Sequence, residues 1–145
     1  MKYQLLIFLL SISNIAFGQS TFDLEGIIND WTEGKIGSND SVIKADVNRG
    51  GWYHLVINSD KKVEFIGPFE CGFGSKRLGT WAVNKSDTTI TFFFTKRLGY
   101  MNKPDIVDIN DTETYKIKLL TTDKLILTQI VGQRKKTWPF LRTEK

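Results

Sequence analysis

The chain has 145 residues, 41% hydrophobic and 25% charged, with a formal net charge of +4, one cysteine and one histidine. That length makes one domain able to build its own core. A lone cysteine excludes an intramolecular disulfide, and a lone histidine excludes a metal site built on several imidazoles. Basic residues cluster at Arg134, Lys135 and Lys136, a run of three that is short for a nucleic-acid stripe.

Lys2 precedes an apolar run over residues 5–10 that Ile12, Ile15, Ala16 and Phe17 extend to the small residue Gly18. A basic start, a short apolar run and a small-residue cut make the pattern of a secretory signal peptide. The run falls short of the roughly 20 apolar residues that a membrane-spanning helix takes. Residues 1–18 are therefore expected to be a signal peptide and residues 19–145 the working domain, secreted or periplasmic, with no transmembrane segment. A buried N-terminal strand or helix is the alternative. No cysteine follows the expected cut, so a lipid anchor is not expected.

Residues 20–34 place Leu24, Ile27, Ile28 and Trp31 at helical spacing, with Ser20 and Asp23 as a capping pair and Gly34 as a stop. This predicts a short N-terminal helix, with a first strand as the competing reading. Residues 35–39 read as a loop and 42–47 as a short strand. Residues 52–58 and 62–66, joined by the turn residues Asn58, Ser59, Asp60 and Lys61, read as a hairpin. Gly67, Pro68, Gly72 and Gly74 mark bends. A strand over 78–84 leads through a turn at 85–87 to the clearest strand, 88–95, where Ile90, Phe92 and Phe94 alternate with Thr89, Thr91 and Phe93. Only Phe93 spoils the split.

Residues 97–112 read as a long polar connection. Residues 113–120 alternate Tyr115, Ile117 and Leu119 against Lys116 and Lys118. Strands over 125–131 and 134–141 complete the set. Pro139 lacks an N–H, so the last strand should be an edge or end near Trp138. About eight strands with short turns predict an all-β fold, a small antiparallel up-and-down barrel with a short N-terminal helix. A β-sandwich is the alternative architecture.

Residues 51–94 resemble the small secreted lipocalin-like proteins of bacteria. The matching features are the first hairpin, the Gly-rich bend, the Gly79-Thr80-Trp81 strand, the Ser-Asp turn and the alternating strand to Phe94. Residues 115–120 and 124–129 resemble that family's closing hairpin. The resemblance implies an up-and-down barrel of roughly eight strands, an apolar pocket and no cofactor. It also implies Trp81 at the barrel floor, with Arg134 or Arg142 stacked on it. Here the Gly-x-Trp motif lies near mid-chain rather than on the first barrel strand.

No set of acid, base and nucleophile assembles in the sequence. A Cys71–His54 dyad has no signature around it. Asp105, Asp108, Asn110, Asp111 and Glu113 are oxygen-rich, but the EF-hand glycine is missing and a solvated loop is the expectation. No enzyme activity, cofactor or metal is therefore expected. Taking one face of each strand, the residues expected to line a ligand site are Tyr53, Leu55, Phe65, Ile90, Phe92, Phe94, Tyr115 and Ile117. The same residue types fill a solid core, so filling and binding both stay open. The functional expectation is a lipocalin-like binder of a small apolar or amphipathic ligand. The alternative is a non-enzymatic interaction module, an inhibitor or envelope-assembly partner, presenting Phe93 and the bend at Phe69 and Phe73. Nucleic acid is not an expected partner.

Overall fold

The computed structural model describes residues 24–45, 53–67, 75–99, 105–131 and 133–144. The expected signal peptide, Cys71 and the bend at Phe69 and Phe73 lie outside them. The described residues form nine strands: β1 (Asp30–Ile36), β2 (Val42–Lys44), β3 (His54–Ile57), β4 (Lys62–Ile66), β5 (Ser75–Asn84), β6 (Thr89–Gly99), β7 (Ile106–Leu120), β8 (Lys124–Val131) and β9 (Arg134–Arg142). Eight run as an antiparallel meander, β1-β3-β4-β5-β6-β7-β8-β9, and β9 returns to β1 to close a barrel. Closure removes the edges that an open sheet of this size would expose. β2 is a ninth strand that pairs with the far half of β1. No helix of the described residues is long and apolar enough to cross a membrane.

Three expectations are corrected. First, the N-terminal helix is absent among the described residues. Leu24–Ile27 is a single 3-10 turn, and β1 starts at Asp30. The helical spacing arose because Ile27 on the turn and Trp31 on the strand enter the same core. Gly34 does not stop an element; it lies within β1 where the backbone meets β2. A Cβ there would sit 2.9 Å from both Ile43 O and Val42 Cγ1.

Second, the polar connection over 97–112 is mostly strand. β6 continues to Gly99 and β7 starts at Ile106, paired from Leu98↔Ile106 to Lys96↔Asp108. Most side chains on this extension are exposed, so no inward apolar alternation marks it in sequence.

Third, β9 runs through Pro139. Arg142 N–H donates toward the β8 side, to Asp123 O, and Thr143 N–H toward the β1 side, to Asp30 O. That alternation aims position 139 at β1, and the β1–β9 pairing ends at Glu33↔Phe140, one residue short of it. The missing N–H therefore falls where β1 has already turned away to β2.

The barrel has two unlike ends. At the floor, short turns at 58–61, 85–88 and 121–123 join the strands, and the 3-10 turn caps the opening with Ile27 fully buried. Trp31 N–H donates to Ile27 O and Trp81 N–H to Asn58 O, each at 3.0 Å. The cation over Trp81 is Lys61, 3.8 Å from the ring centroid, in place of the arginine that the family resemblance implied. The opposite end, the rim, holds the end of β4, the starts of β5 and β9, and the β6–β7 extension.

The glycine of Gly79-Thr80-Trp81 has a local cause. β5 and β6 slip register between Leu78 and Gly79, and the strands close tightly at that bulge. A Cβ on Gly79 would collide with Phe93 O and lie 2.8 Å from Phe94 Cα. Only glycine fits such an approach without moving backbone.

Candidate functional site

Ladder partners share a face of the sheet, which places side chains without further assumption. Phe65 is buried and pairs with Arg77, and Phe92 is buried and pairs with Glu113. Arg77 and Glu113 therefore face the interior on β5 and β7, and they meet across β6. Arg77 Nη1 donates to Glu113 Oε1 at 2.7 Å and Nη2 to Oε2 at 3.3 Å. Tyr115 Oη donates to Glu113 Oε2 at 2.6 Å. Beneath this pair lie two rings: the guanidinium centre is 4.9 Å from the Phe65 centroid and 4.2 Å from that of Phe94.

Trp138, on the inward face of β9, continues the aromatic layer. Tyr53 packs edge-on against it with centroids 4.6 Å apart, and Phe65 at 6.2 Å. Lys136 Nζ lies 3.9 Å from the Trp138 centroid. Arg77, Glu113 and Lys136 thus lie at the rim beside Phe65, Phe94, Tyr53 and Trp138.

The electrostatics follow from this arrangement. Burial pushes the Glu113 carboxyl up, but the hydrogen bonds from Arg77 and Tyr115, with the charges of Arg77 and Lys136, outweigh it and hold it below the usual glutamate value. Burial, then the hydrogen bond and charge of Glu113, push the Tyr115 phenol far up. Tyr115 stays a neutral donor and Glu113 a charged acceptor across the physiological range.

All eight residues expected to line a site fall in one place. Leu55, Phe65, Ile90, Phe92, Phe94, Tyr115 and Ile117 are buried in a single core cluster, and Tyr53 packs against it. Leu55, Ile90 and Ile117 share the apolar core with Ile27 and Trp31, whereas Tyr53, Phe65, Phe94 and Tyr115 touch the charged rim, and Phe92 packs against Phe94 and Tyr115. The polar members Arg77, Glu113 and Lys136 escaped sequence reasoning, although the alternation held the signal. Glu113 is two residues from Tyr115, Lys136 two from Trp138, and Arg77 four from Trp81, each on the face of an inward aromatic.

A second polar cluster lies at the seam where β1, β3 and β9 meet. His54 Nε2 is 3.0 Å from Asp30 Oδ1 and 3.2 Å from Thr143 Oγ1, which is 2.8 Å from Thr32 Oγ1. Both contacts fall on the same ring nitrogen. His54 in this pose cannot pass a proton from one ring nitrogen to the other between Thr143 and Asp30, as a hydroxyl nucleophile would need. Two open surface grooves, of about 650 and 500 Å³, flank this seam, and Asp123, Arg142, Thr143 and Glu144 line both.

The oxygen-rich run is spread along β7, where successive side chains point to opposite faces. Among the described residues, no group of three or more His, Cys, Asp or Glu could hold a metal ion. No protein-family model matches the chain, and no curated protein matches it in sequence. The fold and the rim together define a small closed meander barrel with a mixed polar and aromatic interior at one end.

Proposed function

We propose that this protein is an exported, lipocalin-like barrel, secreted or periplasmic, that binds a small amphipathic molecule at its rim without catalysing a reaction on it. The observation that carries this reading is the half-buried Arg77–Glu113 pair, set among Phe65, Phe94, Tyr53 and Trp138 on the inner wall. A charged pair taken out of water costs several kcal/mol per ion before its own attraction and hydrogen bonds offset it. A barrel end meant only to be filled does better with hydrocarbon, as the floor of this one does. Ligand sites combine aromatic walls with a few fixed polar groups, often in the mouths of barrels.

Native mass spectrometry of the protein purified from its host tests the reading. The expected result is a lipid-sized adduct that Glu113→Gln or Arg77→Gln weakens and substitution of the floor-exposed Lys85 does not. Bare protein that also fails to take up added amphiphiles would overturn it. Export has its own check, the mass of the recovered chain, which should lack about eighteen N-terminal residues.

One feature favours the interaction module as a second reading. Phe93, Ile106 and Val107 are exposed on β6 and β7, and β8 pairs with β7 only over residues 116–120. Among the described residues the rest of that β7 edge has no ladder partner, and a strand from another protein could add there. Crosslinking in the host's envelope, with a stoichiometric partner captured at residues 106–112, would support this reading over the first.

A further inference from the structure

Three tryptophans among the described residues are buried, and they differ in one respect. The N–H groups of Trp31 and Trp81 each reach a backbone carbonyl at the floor. Trp138 is nine-tenths buried, and its Nε1 has no acceptor. A buried donor left unpaired is destabilising, because its lost hydration is not replaced. The donor sits in a particular setting. Lys136 Nζ lies over the same ring, and among the described residues it has no carboxylate within ion-pair distance. Arg77 is already matched by Glu113 through two hydrogen bonds. Lys136 is thus a cation without an ion-pair partner among the described residues, beside an unused N–H.

We infer that the rim binds the carboxylate end of an amphiphilic acid. One oxygen accepts the Trp138 N–H and the other pairs with Lys136 Nζ, while the apolar body lies against Tyr53 and Phe65. This inference rests on the proposed ligand-binding reading and narrows it to a charge and an orientation. A cationic headgroup would meet the charge of Lys136. A neutral alcohol or ester could use the N–H but would leave Lys136 unmatched. The bidentate Arg77–Glu113 pair stays intact on binding; it holds the aromatic wall in place and is spared from competing for the ligand.

The test uses 11-(dansylamino)undecanoic acid and its methyl ester, titrated into the purified protein and followed by dansyl fluorescence. The acid should bind at least about tenfold more tightly than the ester. Lys136→Gln should bring the acid down to the ester's affinity. Trp138→Phe, which keeps a ring and removes the N–H, should weaken the acid several-fold. Lys135→Gln removes a neighbouring charge on the opposite face of β9 and should leave the preference unchanged. Circular dichroism shows whether each variant is folded, and the exposed Lys136 is the variant that decides if Trp138→Phe is not. Equal binding of acid and ester overturns this inference and leaves the ligand-binding reading standing. So does a preference that survives Lys136→Gln, or one lost equally with Lys135→Gln. Failure of both probes to bind overturns the inference together with the reading it rests on.

Discussion

The two ends of this barrel solve the same problem differently. At the floor, three short turns and a 3-10 cap seal the interior, and both tryptophan N–H groups there reach a carbonyl. At the rim, a carboxylate, a guanidinium and an ammonium ride on aromatic rings, and a buried N–H is left over. The floor is what a barrel looks like when every buried group is matched and hydrocarbon supplies the stability. The rim gives up part of that stability by keeping charged groups and an unmatched donor among its rings.

The sharpest way to break this contrast is to cut one tryptophan at each end. Trp31→Ala removes a fully buried ring whose N–H holds the cap, and should cost about 3–5 kcal/mol. That is a large share of the 5–15 kcal/mol typical of a whole domain. Trp138→Phe removes a donor with no acceptor and should cost less than about 1 kcal/mol. Urea unfolding of both variants checks the pair. A Trp138→Phe loss as large as that of Trp31→Ala would mean that the Trp138 N–H is matched after all.

Much of the fold was legible because its signal is local. The 88–95 alternation, the 62–66 strand and the turn at 58–61 depend on neighbours in the chain, and the structure has them nearly where the pattern places them. The misreadings occurred where a residue answers to a distant partner. Trp31 looks helical beside Ile27 because both meet a core that the sequence does not display. The 106–112 half of β7 looks like a loop because most of its side chains face water. The inward aromatic residues were legible from alternation alone. The inward positions of Arg77 and Glu113 were legible in the same way, but their pairing was not, since 36 positions separate the two halves of that ion pair.

Gly79→Ala tests the bulge between the two ends. The added methyl would collide with the Phe93 carbonyl, a backbone atom that cannot swing aside. The expected loss is about 2–3 kcal/mol, in the range of overpacked cores, read as a lower urea midpoint. Because Arg77 sits two residues before Gly79, the variant should also weaken rim binding while leaving the Trp31 environment unchanged in fluorescence.

Glu113→Gln sharpens the electrostatic half of the comparison. It removes a charged acceptor from Arg77 and Tyr115 and should cost about 1–2 kcal/mol at neutral pH. Its pH dependence has a definite sign. The folded carboxyl titrates below its ordinary value of 4.5, so its stabilisation is complete above that value and is lost as pH falls through the folded one. Wild type and variant should therefore converge in stability as pH falls through the folded carboxyl's lowered value, as urea unfolding at neutral and acidic pH would show. A difference that persists in acid would point to packing rather than charge.

The smallest effect belongs to the floor, at Thr88. Its φ of 52° puts a β-branched residue in the left-handed region, which asparagine tolerates better. Its backbone carbonyl accepts the Ile117 N–H, so the turn conformation must be kept and only the side chain can be improved. Thr88→Asn should keep that bond, relieve part of the strain and raise stability by about 0.5–1 kcal/mol, seen as a higher unfolding midpoint. The affinity of the rim for the dansyl acid should not change, because the turn and the rim lie at opposite ends of the barrel. A gain in stability with a loss of binding would show the two ends to be coupled through the strands.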